Sequence, residues 1–142
     1  MHIDNNAWSQ FIGLPYRAKG RTAAGCDCWG LVRLVLLELA AVELPSYADR
    51  YGLLDAAGRA ELSALIRHES RVRIWQPVTF GHERALDLLS LSIVGDHAHV
   101  GVVVEPGSML HIKVGQTSAI ERYTSPAWRR RVNYIRRHAA LV

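Results

Sequence analysis

Read by the recurrence of apolar and polar positions, the chain changes character near residue 71: helical spacing dominates before it, and short alternating or continuous apolar runs follow. Residues 4–12, DNNAWSQFI, predict a short helix capped by Asp4. A glycine-punctuated loop, GLPYRAKGRTAAG, comes next. From Cys28 to Val42 the run CWGLVRLVLLELAAV is apolar nearly all round, with only Arg33 and Glu38 charged, and predicts a helix buried on most sides. Past Pro45 a loop leads to a second helix over about Leu54 to His68, with Leu62, Leu65 and Ile66 on one side. Strands are expected near residues 72–75, 86–93, 98–104, 109–114, 117–121 and 131–136. Helices first and strands afterwards predict an α+β domain with an antiparallel sheet.

Within the strand region, HVGVVV and MLHIKV face each other across the turn EPGS. Placing Val100, Val102 and Val104 on one face with Leu110, Ile112 and Val114 brings six apolar side chains together. The other face then carries His99, Gly101 and Val103 beside His111 and Lys113, so the pattern puts two imidazoles on one side. Gly101 leaves room there for a close approach.

The stretch GCDCWGLV, residues 25–32, holds both cysteines. Asp27 is a preferred N-cap residue, which puts Cys28 at the first helical position. Backbone N–H groups and the positive end of the helix dipole favour a thiolate there, so Cys28 is expected to ionise near pH 6 and to be alkylated ahead of Cys26. A bridge between Cys26 and Cys28 would close a tight, strained ring. A zinc set of these cysteines with His97 and His99 has spacings unlike those of structural zinc sites, and no metal is expected. A nucleophilic thiol needs a base, and His99 with His111 are the candidates that the register supplies. His2, His68, His82 and His138 read as surface or hydrogen-bonded structural residues.

At 142 residues and 49% hydrophobic content the chain suits one globular domain, 1–142. Its net charge is +4, with arginines concentrated late, from Arg122 to Arg137. That cluster suits an acidic partner or a solvated face, but no aromatic platform is interleaved with it, and no nucleic-acid partner is expected. The N-terminus has no basic segment followed by an apolar run, and the longest apolar stretch, Leu34 to Leu44, is interrupted by Glu38 and Glu43. The expectation is a soluble chain made in the cytoplasm, without a transmembrane segment.

PYRAKGRTAAGCDCWGLV resembles the P-Y-x-x-G and G-x-D-C-x-G-L-V signature of NlpC/P60 cysteine peptidases, and HVGVVVEPGSMLHI is similar to their H-V-G-I-Y and I-H segment, with the same spacing of twelve between the histidines. The chain departs from the pattern in two places. Ala85, Leu86 and Asp87 stand where the family usually has Pro-Gly-Asp, and Cys26 stands at a position normally apolar or small. Trp29 stands where cell-wall hydrolases usually have Ser, and with the ending SAIERYTSPAWRRRVNYIRR it looks most like the variants of phage tails and gene-transfer agents. The resemblance implies a papain-like fold with the Cys28 helix packed on a twisted antiparallel sheet. It also implies Cys28 as nucleophile, His99 as general base, His111 as the residue orienting it and Tyr16 as an oxyanion donor. Asp27 and Trp29 would contact substrate. The implied reaction is hydrolysis, without a cofactor, of an amide in peptidoglycan stem peptides, the γ-D-glutamyl to diaminopimelate bond first, by a protein carried on a virion tail or released by lysis. Phage tail proteins are the implied partners. A tail-tip assembly protein that keeps the fold without catalysis is the alternative.

Overall fold

A computed structural model describes residues 3–52, 56–93 and 96–142. Helix α1, Asn5–Ser9, starts where Asp4 accepts the Asn6 N–H, as expected, but it is one turn shorter than the run predicts. Two two-residue strands, β1 (Arg21–Thr22) and β2 (Gly25–Cys26), pair inside the segment read as loop. They turn the chain back so that it enters α2, Cys28–Ala40, at Asp27. α2 ends at Ala41 in the left-handed region, φ 54°, where the Ala41 and Val42 N–H groups return to Leu37 and Leu36.

Helix α3 spans Ala56–Arg71, so the expected start at Leu54 lies outside the described residues. The strands that follow are β3 (Trp75–Val78), β4 (Leu88–Ile93), β5 (Asp96–Glu105), β6 (Ser108–His111), β7 (Ala119–Arg122) and β8 (Val132–His138). They form one sheet in the order β3-β8-β4-β5-β6-β7, with every neighbouring pair antiparallel. The α+β architecture of the sequence reading is thus present.

The sheet separates two apolar layers. On one face Leu88, Val100, Val102, Leu110 and Ile112 pack with Leu31, Val32, Val35 and Leu36 of α2 and Leu62 and Ile66 of α3. On the other, Leu89, Leu91, Val103 and Met109 are covered by Tyr123 and Trp128 from the turn between β7 and β8. The hairpin register, Val102 opposite Leu110 and Val103 opposite Met109, is the one that the apolar pattern demands. Val114 does not join the apolar face: it is 63% exposed, because the chain turns between Lys113 and Gln116.

Leu86, at the position where the family pattern has glycine, keeps a positive φ of 76° and is fully buried. A left-handed L-residue costs roughly 1–2 kcal/mol. Burying a leucine side chain returns about 1.5–3 kcal/mol, so the turn survives the substitution. Asp87 beside it is held by the Arg84 N–H and by both ends of the Arg137 guanidinium at 2.8 Å.

Candidate active site

The start of α2 is built around one buried carboxylate. Asp27, wholly inaccessible, accepts the Gly30 N–H at 2.8 Å as N-cap, Arg21 Nη1 at 2.8 Å, the Lys19 N–H at 3.2 Å and the Tyr51 hydroxyl. Arg21 in turn donates to the Ser46 carbonyl and, through Nη2, to the Tyr51 oxygen at 2.7 Å. Every group is matched, which is the condition for burying an ion pair. The backbone must come close for this: a Cβ on Gly30 would lie 2.0 Å from the Gly20 carbonyl oxygen.

Cys28 follows the cap and is 5% exposed. It is buried in the same apolar cluster as Val100, the residue after His99, and the backbone N–H groups of Val100 and Trp29 favour its thiolate. The thiolate expected near pH 6 is not what this environment favours. Burial first, and Asp27 second, push the Cys28 thiol up to about 12, while the two N–H groups and Arg21 pull the other way without winning. Burial also pushes Cys26 up to about 11. A helix terminus favours an anion chiefly where water or a cation shares the work, and here a buried carboxylate sits beside the sulphur instead.

Tyr16 lies in the loop before β1 and bridges to Cys26 in parallel. Its hydroxyl is buried without a hydrogen-bond partner, and its pKa is raised by burial, then by Asp27 and Cys28, which puts the phenol in the electrostatic range of both. Trp29 is 2% exposed, gives its indole N–H to the Pro45 carbonyl at 2.8 Å and packs near Tyr47. Asp27 and Trp29 therefore have all their donors and acceptors engaged within the chain.

The sheet side carries a row of polar groups. His99 Nε2 and His111 Nδ1 are 2.8 Å apart, and His111 Nε2 meets Glu121 Oε2. Gly101 makes room, since a Cβ there would lie 3.4 Å from His111 Cβ. Burial, then His111 and Lys113, lower His99 to about 3; burial also lowers His111, against the pull of Glu121. Both rings are neutral near pH 7. The side chain of His97 falls outside the described residues.

Sequence reading did not single out Arg21, Tyr51, Glu121 or Trp128. For Glu121 a signal existed: Met109 pairs with Glu121 and His111 with Ala119, so the alternation that joins His99 to His111 extends one strand further. Arg21 and Tyr51 carry no comparable periodic mark.

Among solved structures, the NlpC/p60 domain of peptidoglycan hydrolase SagA is similar with a TM-score of 0.59 at 18% identity, covering 92% of each chain. An NlpC/P60 family protein from Bacillus cereus reaches 0.66 at 21%, covering 94% of this chain and 38% of its own. NlpC1 from Trichomonas vaginalis reaches 0.62 at 16%, covering 94% and 42%. This chain thus spans less than half the length of the latter two, and identities this low speak for the fold alone. No curated protein matches the chain by sequence. The NlpC/P60 family model matches residues 13–137, a stretch that takes in the Cys28 helix and both histidine strands, and the chain belongs to this family of typically cell-wall peptidases.

Proposed function

We propose that the chain is a cysteine peptidase that hydrolyses an amide bond of peptidoglycan stem peptides, the γ-D-glutamyl to diaminopimelate bond first, through a thioester on Cys28. The observation that carries this reading is the burial of Cys28, the first residue of α2, in one apolar cluster with Val100, the neighbour in sequence of an imidazole that is itself hydrogen-bonded to a second imidazole. SagA, whose NlpC/p60 domain is similar in fold, is a peptidoglycan hydrolase, which supports the substrate class.

With a neutral thiol and a neutral imidazole at rest, the reaction is general-base chemistry rather than attack by a preformed thiolate. His99 takes the thiol proton as sulphur bonds to the carbonyl carbon, and the oxyanion receives the Tyr16 hydroxyl and the Cys28 N–H. His99 then gives the proton to the leaving amine. Water, deprotonated by the same ring, cleaves the thioester and restores the thiol. An unpartnered buried hydroxyl on Tyr16 suits this role, because it is costly at rest and satisfied only by an incoming acceptor. Asp27 and Trp29, proposed from resemblance as substrate contacts, act in this reading by holding the helix start that aims the thiol.

The variant signature around Trp29 supports a tail-associated or lysis-released protein, with phage tail proteins as partners. A second reading, tail-tip assembly without catalysis, is favoured by the closed site: Cys28 is 5% and His99 2% exposed. Incubating purified murein with the wild type and with Cys28→Ala, followed by muropeptide analysis, separates the two. New stem-peptide fragments from the wild type alone support the peptidase; identical profiles with the protein bound to tail components support assembly.

A further inference from the structure

The imidazole pair does not end at His111. We propose that Glu121, on the edge strand β7, is a positioning residue that sets the tautomers of both rings and so leaves His99 Nδ1 as the unprotonated nitrogen free to act as a base. This rests on the peptidase reading for its consequence, but the tautomers themselves do not depend on it.

The assignment follows from counting protons. A carboxylate only accepts, so the single proton of neutral His111 sits on Nε2, which meets Glu121 Oε2. His111 Nδ1 then carries a lone pair, and at 2.8 Å it accepts from His99 Nε2–H. His99 Nδ1 is left without a proton. In the reverse arrangement lone pairs face each other at the carboxylate, and with one ring reversed alone two N–H groups or two lone pairs collide between the imidazoles; in a buried site neither mismatch is relieved by water.

Trp128 fixes the carboxylate that does this. Its indole N–H donates to the same oxygen, Glu121 Oε2, at 3.0 Å. The indole also lies stacked over His99, with centroids 5.8 Å apart and planes at 20°, and edge-on to His111 at 5.0 Å. At 6% exposure it covers the ring pair, while Lys113 sits over the indole at 5.6 Å. The Glu121 side chain itself is 44% exposed, so its place in the fold does not require a carboxylate for packing. When His99 takes the thiol proton, the charge formed in that buried ring is answered through His111 by Glu121.

The test uses the full chain labelled with ¹⁵N-histidine, whose long-range ¹H–¹⁵N spectra report ring protonation directly. In the wild type near pH 7 both His99 and His111 should be Nε2–H tautomers. In Glu121→Gln, whose amide can donate to His111 Nε2, both should shift towards Nδ1–H, and Glu121→Asp should restore the wild-type pattern at least in part. On a stem-peptide substrate, Glu121→Gln should lose about 10- to 100-fold in kcat with little change in KM, by analogy with the loss when a carboxylate that orients a metal-ligating histidine is removed. An Nδ1–H tautomer on His99 in the wild type, or wild-type tautomers retained in Glu121→Gln, overturns the proposal. If the tautomers behave as expected while no variant cleaves murein, the relay stands and the peptidase reading falls.

Discussion

The two halves of the site are held in opposite ways. On the helix side, Asp27 is wholly buried and takes donors from Lys19, Arg21, Gly30 and Tyr51, each within 24 residues of it along the chain. On the sheet side, His99, His111, Glu121 and Trp128 come from β5, β6, β7 and the turn beyond, and their row ends at a half-exposed carboxylate. The first half is a fold element that happens to present a thiol. The second is a hydrogen-bonded row that carries a proton in the proposed reading, and of its members only Glu121 lies outside the buried packing. Damage to the helix side should therefore appear as lost stability, and damage at Glu121, the exposed end of the sheet side, as lost chemistry in a protein that still folds.

The strongest way to break that contrast is Asp27→Ala, which removes the cap and leaves Arg21, with a side chain only 12% exposed, without its counter-charge. Such uncompensated charges cost about 3–5 kcal/mol, and urea unfolding should show a loss of that order. A loss under about 1 kcal/mol would mean that the carboxylate is not a structural anchor. Tyr16→Phe sits at the boundary between the halves. It should lower kcat by about 10²- to 10³-fold, roughly 2.7–4 kcal/mol of barrier, with no loss of stability because the hydroxyl has no partner at rest. An unchanged rate removes Tyr16 from the mechanism.

Gly30→Ala sharpens the helix side alone. Its new methyl would collide with the Gly20 carbonyl oxygen, and the melting temperature should fall with a cost of about 1–3 kcal/mol for forced overpacking. The smallest effect per step is the response to pH. Burial keeps His99 neutral, with its pKa lowered from 6.5 to about 3, so the unfolded chain binds the extra proton between those values. Stability on this account is full above about pH 6.5 and declines as pH falls towards 3. Cys28, raised from 9.0 to about 12, acts at the other limb: stability is full below about pH 9 and declines as pH rises towards 12. Each group contributes a slope of at most about 1.4 kcal/mol per pH unit. Melting scans of His99→Asn should flatten the acid limb only, and those of Cys28→Ala the alkaline limb only.

How far the sequence could be read follows the same division. Asp27 as cap and Cys28 as first helical residue were legible because a cap is a relation between neighbours, Asp27 and Gly30. The faces of β5 and β6 were legible because alternation carries across a hairpin, and it failed at Val114 where a turn replaces the strand. The two-residue strands β1 and β2 are too short to show a period. The place of β8 between β3 and β4 joins segments more than forty residues apart and leaves no local mark. Nor does depth: a thiol at a helix start reads as acidic until its burial beside Asp27 is known. The late arginines likewise read as a free basic cluster, whereas Arg137 is committed to Asp87, Arg136 stacks over Tyr134 at 4.4 Å, and Arg129, Arg130 and Arg131 are left exposed.

The central claim is that the acyl group passes through Cys28, and partitioning with hydroxylamine tests it most directly. A synthetic stem peptide containing the γ-D-glutamyl to diaminopimelate bond is cleaved in rising concentrations of neutral hydroxylamine, and the products are separated by mass. A thioester should be intercepted, so the wild type should form γ-D-glutamyl hydroxamate in a ratio to free acid that rises with hydroxylamine, and Cys28→Ala should form neither. Free acid alone at every hydroxylamine concentration, or cleavage retained in Cys28→Ala, would contradict a Cys28 thioester.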